Sequence, residues 1–135
     1  MSKSRKQQTA GSCPCGQPRP YDQCCGHYHQ GELPQTAEQL MRSRYCAYVL
    51  RNAPYLLLTW ASSTRPDTLD LSTDDGMKWL GLEVLGSEAG QVADQYGSVH
   101  FVARYKLGGR AYRLQENSRF ARENGAWRYV DGDVS

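Results

Sequence analysis

The sequence predicts an α+β chain: a small cysteine knob, then helices, then an antiparallel meander onto which the helices pack. Three observations predict it. Cys13, Cys15, Cys24 and Cys25 crowd into a single short polar segment. Apolar residues from Ala37 to Tyr48 recur at three- and four-residue spacing, the period of a helix with one buried face. From Val99 onward the period changes to two, the mark of half-buried strands. Helices followed by strands, rather than alternating with them, favour a sheet covered by helices on one face.

In chain order, residues 1–11 are polar, carry Lys3, Arg5 and Lys6, and have no periodicity, so they read as a disordered basic arm. Residues 12–30 form the knob, C-x-C-x8-C-C with His27 close behind. Soft thiolates prefer zinc, and four of them make a closed structural site with no open position for catalysis. The segment buries too little apolar surface to offset its chain entropy, so metal has to order it. Two ligands from adjacent residues require a tight turn between Cys24 and Cys25, and Gly16 and Gly26 permit unusual backbone angles near the sulfurs. A redox pair at Cys24-Cys25 is the competing reading, and His27 or His29 could replace Cys25 as fourth ligand. Cys46 lies off the apolar stripe and reads as a plain small helix residue.

Gly31 to Gln35, with Pro34, is a linker. Thr36-Ala37-Glu38-Gln39 is a capping box that starts the first long helix, whose apolar face carries Arg44. Asn52 caps a shorter helix with Pro54 in its first turn, ending at Ser62-Ser63-Thr64-Arg65-Pro66. Thr73, Asp74 and Asp75 read as a loop or helix cap rather than a metal pair. Trp79 to Leu85 is apolar enough for a strand, and Val99, Phe101, Ala103 and Tyr105 share one face of the next. Gly108-Gly109 and Asn124-Gly125 are hairpin turns, and Trp127 to Val130 closes the sheet.

The chain has 135 residues, enough for one domain with a small appended module. No apolar run approaches the roughly 20 residues of a membrane span. The first residues lack the apolar stretch of a secretory signal. Clustered cysteines without an export signal point to reduced thiols and metal, and hence to the cytoplasm. The basic arm does not combine with an aromatic stacking pattern, so nucleic acid is not an expected partner.

Several blocks carry a family resemblance. Cys13-Pro14-Cys15-Gly16, Tyr21 and Cys24-Cys25-Gly26 resemble the SEC-C zinc motif known from the tail of the SecA translocation ATPase. Leu40-Met41-Arg42-Ser43-Arg44-Tyr45, Trp79-Leu80-Gly81-Leu82, Val99 to Tyr105, Glu116-Asn117-Ser118-Arg119-Phe120 and Trp127 to Gly132 are similar to the YchJ family of uncharacterised bacterial proteins. The resemblance spans roughly residues 12–133. It implies a structural Zn²⁺ in the knob, held by Cys13, Cys15, Cys24 and Cys25. It also implies a nuclear-transport-factor-2-like cone over residues 36–133, helices packed on a curved antiparallel sheet. In SecA the motif contacts an export chaperone and the ribosome, so a protein or ribosomal partner is the implied use of the knob. The cone fold hosts both enzymes and binding proteins and does not choose between them. Many relatives carry His-Pro after the Thr-Trp of the second helix, where this chain has Ala61-Ser62.

Strand alternation that turns Leu114 and Phe120 inward also turns Glu116 and Ser118 inward. With Arg44, Tyr48, Trp60, Tyr112 and Tyr129 they form the expected lining of a small-molecule pocket. Two readings of its charges compete: a structural Arg44–Glu116 ion pair, or Glu116 as the base of a proton transfer or dehydration. Asp131 is placed on the Trp127/Tyr129 face, at a solvated strand end. The sequence therefore reads as a zinc-binding accessory protein with a docking knob and a binding cone; the alternative is an enzyme working in the cone. No catalytic residue is assigned beyond the candidate Glu116, and oligomeric state is left open.

Overall fold

A computed structural model describes residues 12–71 and 76–135. The readings of the basic arm and of Thr73, Asp74 and Asp75 lie outside the described residues. A 3₁₀ turn at Tyr21–Gln23 leads into helix α1, Cys25–His29, and then come α2, Ala37–Val49, and α3, Ala53–Leu58. Four strands follow, β1 Lys78–Ala89, β2 Tyr96–Leu107, β3 Arg110–Glu123 and β4 Ala126–Val134. They pair in sequence order as one antiparallel sheet.

The helix starts are set by their caps. The Thr36 hydroxyl accepts from the Gln39 amide at 3.1 Å, and the Gln39 side chain accepts from the Gln35 amide at 2.8 Å. Asn52 accepts from the Tyr55 amide at 3.2 Å, with Pro54 in the first turn of α3. Both two-residue hairpins need positive φ at their central residues, which Gly108-Gly109 and Asn124-Gly125 supply.

The main core lies between α2 and the sheet: Ala37, Leu40 and Met41 pack on Val99, Phe120 and Trp127. The Trp127 indole also donates to the Gln35 carbonyl at 3.0 Å, fixing the start of α2 against β4. Helix α2 is buried on a second side as well. Cys46 is fully buried against the knob rather than the sheet, and Ser43, whose hydroxyl meets that of Tyr55 on α3 at 2.7 Å, accepts from His29 at its carbonyl. The one-stripe reading of this helix is therefore corrected: polar and small residues off the apolar stripe are an interface with the cysteine segment.

Register irregularities decide which side chains enter the cone. On β4, Asp131 pairs with Arg119 and Tyr129 with Phe120, so Val130 is an extra residue in a bulge. The bulge reverses the alternation, places Asp131 on the outer face, and leaves Gly132 beside Ser118. Asp131 accepts from Arg119 at 2.6 Å there, so its expected position with Trp127 and Tyr129 is corrected.

Candidate functional site

Two sites share helix α2. At the knob, the sulfurs of Cys13, Cys15, Cys25 and Cys46 all lie within 4.8 Å of one another, and all four are buried. Cys13 and Cys46 approach to 3.4 Å and Cys15 and Cys24 to 3.7 Å. This mutually close group shares Cys13, Cys15 and Cys25 with the expected quartet, and includes Cys46 where that quartet has Cys24. Cys24 instead leans toward Arg19, whose guanidinium lies 3.8 Å from its sulfur. Cys46, expected to be a plain helix residue, is fully buried among the sulfurs. Sequence spacing could not find it, since it is remote in sequence from the knob.

The histidines are committed elsewhere. His29 donates from Nε2 to the Ser43 carbonyl at 2.8 Å, so its Nδ1 accepts from the Tyr21 hydroxyl. His27 is exposed and lies beside Glu32. Neither is placed as a ligand. Arg42 donates to the Cys15 carbonyl at 2.6 Å, a second tie between α2 and the knob.

The donor set fits a soft divalent ion. Hydrogen bonds from Cys15, Cys25 and Cys46 hold the Cys13 thiol well below its ordinary pKa. Contacts with Cys13 and Cys15, then burial, push Cys25 and Cys46 in the opposite direction. Burial pushes Cys24 up to about 11. Contact with Cys13 raises Cys15, but hydrogen bonds from Cys25 and Cys46 outweigh it and bring that thiol down to about 6. Without a cation the group favours thiolates at Cys13 and Cys15 among thiols, whereas bound zinc would draw off the remaining protons. Four thiolates close a tetrahedral ion completely, which makes such an ion structural.

The second site is a cavity of about 290 Å³ between α2 and the concave face of the sheet. Met41, Arg44, Tyr45 and Tyr48 contribute from α2, Trp79 from β1, Phe101 and Ala103 from β2, and the remainder come from β3 and β4. Of the expected residues, Arg44, Tyr48, Glu116, Ser118 and Tyr129 line it. Trp60 and Tyr112 do not. Trp60 stands behind Arg44 and meets Tyr129 edge-on, and Tyr112 stacks on Tyr105 at the exposed end of the hairpin. Alternation correctly selects the face of Tyr112, but the cavity stops before reaching it. Tyr45, Trp79 and Phe101 are lining residues that the sequence places on inward faces without marking them as site residues.

The Arg44–Glu116 ion pair is not formed. Arg44 donates to the Leu56 carbonyl at 2.9 Å and to the Thr59 hydroxyl at 2.8 Å, capping the C-terminal end of α3. Its guanidinium lies over the rings of Trp60 and Tyr129, 4.9 and 4.6 Å from their centroids. Burial pulls its pKa below the ordinary arginine value, and the surrounding tyrosines and Glu116 oppose that shift. Glu116 has separate partners: Ser118 donates to its Oε2 at 2.7 Å and Tyr129 to the same oxygen at 3.2 Å. No partner for its Oε1 is seen among the described residues. A Cβ at residue 132 would fall 2.1 Å from Oε2, so Gly132 is what makes room for the carboxylate. Burial, then Glu116, pushes the Tyr129 phenol up, which keeps it a donor.

A curved antiparallel sheet, helices on its concave face and a cysteine knob define a SEC-C-type segment joined to a cone domain. The family described as "YchJ, middle NTF2-like domain" matches residues 36–132, and the chain belongs to the YchJ family. It is 56% identical over 129 residues to a UPF0225 protein of Cupriavidus metallidurans, covering 90% of this chain and 88% of that one. A UPF0225 protein of Bordetella parapertussis is 50% identical, with 91% and 92% covered. The solution structure of a SEC-C motif containing protein from Rhodopseudomonas palustris superposes with a TM-score of 0.78 at 33% identity, covering 90% of this chain and 97% of that one. A crystal structure of a SEC-C motif containing protein from Psychrobacter arcticus gives 0.71 at 28%, with 96% and 85% covered. Among the described residues no helix is long and apolar enough to cross a membrane.

Proposed function

We propose that the protein is a zinc-stabilised binding protein whose cone accepts a small amphipathic molecule. The observation that carries this reading is the cavity with Glu116 held on one side by two donors and its second oxygen without a protein partner. Its volume is near the small end of the range for small-molecule sites. The apolar body of a ligand would lie against Phe101, Ala103 and Trp79, and a hydroxyl or amine at its polar end would donate to Glu116 Oε1. Zinc in the knob would serve structure, supporting the helix that forms the cavity wall.

A second reading shares this geometry: Glu116 as the base of a proton transfer or dehydration. It is favoured by the separation of the carboxylate from Arg44, since a direct ion pair would weaken a base. Docking of a protein or ribosomal partner rests on the motif resemblance, as does a cytoplasmic location. The inner side of the knob is committed to α2, so docking would use its outer side, where Arg19, Gln23 and His27 are exposed.

Saturation-transfer NMR on the full chain tests the binding reading, using a panel of monocyclic phenols, amines and carboxylic acids. At least one class is expected to bind, and binding is expected to fall at least tenfold in Ala103→Phe, which fills the cavity, and in Glu116→Gln. Equal binding to the wild type and to both variants, or no binding by any class, overturns it.

A further inference from the structure

We propose that Cys46, on helix α2, is the fourth zinc ligand with Cys13, Cys15 and Cys25, and that Cys24 is a spare thiol outside the coordination shell. The inference rests on the reading of the knob as a zinc site and goes beyond it by moving one ligand from the knob into the cone domain.

Geometry carries it. Tetrahedral Zn–S bonds of about 2.3 Å separate sulfurs by about 3.8 Å. The sulfurs of Cys13, Cys15, Cys25 and Cys46 all lie within 4.8 Å of one another, a range that a small inward or outward adjustment brings to that spacing. Cys24 is close to Cys15, at 3.7 Å, but does not belong to a mutually close quartet. The reason is local. Cys24 has φ −134° and ψ −110°, and Cys25 begins α1, so the two adjacent side chains leave the backbone in different directions. Cys24 is also the most exposed of the five cysteines, at 7%, against 0% for Cys46. The Arg19 guanidinium lies 3.8 Å from the Cys24 sulfur, giving that thiol a partner outside the quartet.

Cys46 has no other evident task. It lies off the face of α2 that packs on the sheet, and its neighbours are the knob cysteines and Tyr21. An ion held there would cross-link residues 13–25 to the middle of α2, between Tyr45 and Tyr48 of the cavity wall. The metal would then hold together two segments that are otherwise joined through hydrogen bonds from Arg42 and His29.

The test uses the intact chain loaded with ¹¹³Cd in place of zinc and read by metal–proton correlation NMR, which needs no substitution. Couplings from one metal to the β-protons of Cys13, Cys15, Cys25 and Cys46, with none to Cys24, are the expected result. Couplings to Cys24 and not Cys46 overturn the assignment while leaving the zinc reading intact. A chain that takes up no metal overturns both. Cobalt spectra provide a second measure. Cys24→Ser is expected to keep the four-sulfur absorption of the wild type, and Cys46→Ser to shift it to a three-sulfur form with at least a tenfold weaker affinity. The reverse pattern, or an unchanged spectrum in both, contradicts the proposal.

Discussion

The knob and the cone meet along one helix but hold themselves together on opposite terms. The interior of the knob is sulfur, five buried cysteines with Tyr21 beside them, whereas that of the cone is hydrocarbon, with Leu40, Met41, Val99, Phe120 and Trp127 at its centre. The cone gains its stability from apolar burial and the sheet ladder. The knob has too little of either, and on the proposed reading a metal draws its thiols together. Helix α2 belongs to both, giving Met41 and Arg44 to one side and Arg42 and Cys46 to the other. A change at one site therefore has a short route to the other.

The sharpest way to separate the two is to remove the ion. Strong chelation is expected to release the knob, with loss of the whole metal-binding free energy, of order 10 kcal/mol. The sheet should keep its ladder, as judged by amide exchange in β2 and β3. Collapse of the whole chain to an unfolded state would show that the cone has no independent stability.

A smaller effect is expected from Arg44→Leu. It leaves the Leu56 carbonyl and the Thr59 hydroxyl without their donor and removes the cation between Trp60 and Tyr129. A loss of about 3 kcal/mol in urea unfolding is expected, with metal content unchanged. An effect below about 0.5 kcal/mol would show that the buried cation is dispensable to the cone.

Gly132→Ala acts on the cavity more directly. The added methyl displaces the Glu116 carboxylate from Ser118 and Tyr129, at a cost of about 2 kcal/mol, and changes the chemical shifts of cavity residues. Unchanged spectra at Ser118 and Tyr129 would contradict the described packing.

The smallest effect belongs to the outer face. Arg119 lies 2.7 Å from Asp133 and holds its carboxyl below the ordinary value of 3.8. A depressed carboxylate stabilises the fold above its unfolded pKa and loses that contribution as pH falls through the folded one. Arg119→Ala should therefore weaken the protein slightly at neutral pH and lose that effect as pH falls through the lowered pKa of Asp133. A difference that grows toward acid pH would reverse the assignment.

Much of this architecture was legible in local sequence. Thr36 and Asn52 announce their helices through chemistry that needs only neighbouring residues, and Gly108-Gly109 and Asn124-Gly125 do the same for the hairpins. Alternation was enough to turn Glu116 and Ser118 into the cone. What escaped depends on distant partners. A helical period identifies the faces of α2 but not what each face meets, so Cys46 looked incidental and Arg44 was sent to Glu116 instead of the end of α3. Bulges are equally silent: the extra Val130 reverses the alternation and sends Asp131 outward. Trp60 and Tyr112 were misplaced for a related reason, because facing inward does not tell how far a cavity extends.

The central claim is that a metal-ordered knob supports the cavity-bearing helix. Hydrogen exchange read by mass spectrometry, with and without a zinc chelator, tests it most directly. The account predicts that chelation removes protection from residues 13–29 and from the Ser43–Val49 half of α2 while β2 and β3 stay protected. Loss confined to residues 13–29, with α2 unchanged, would contradict it.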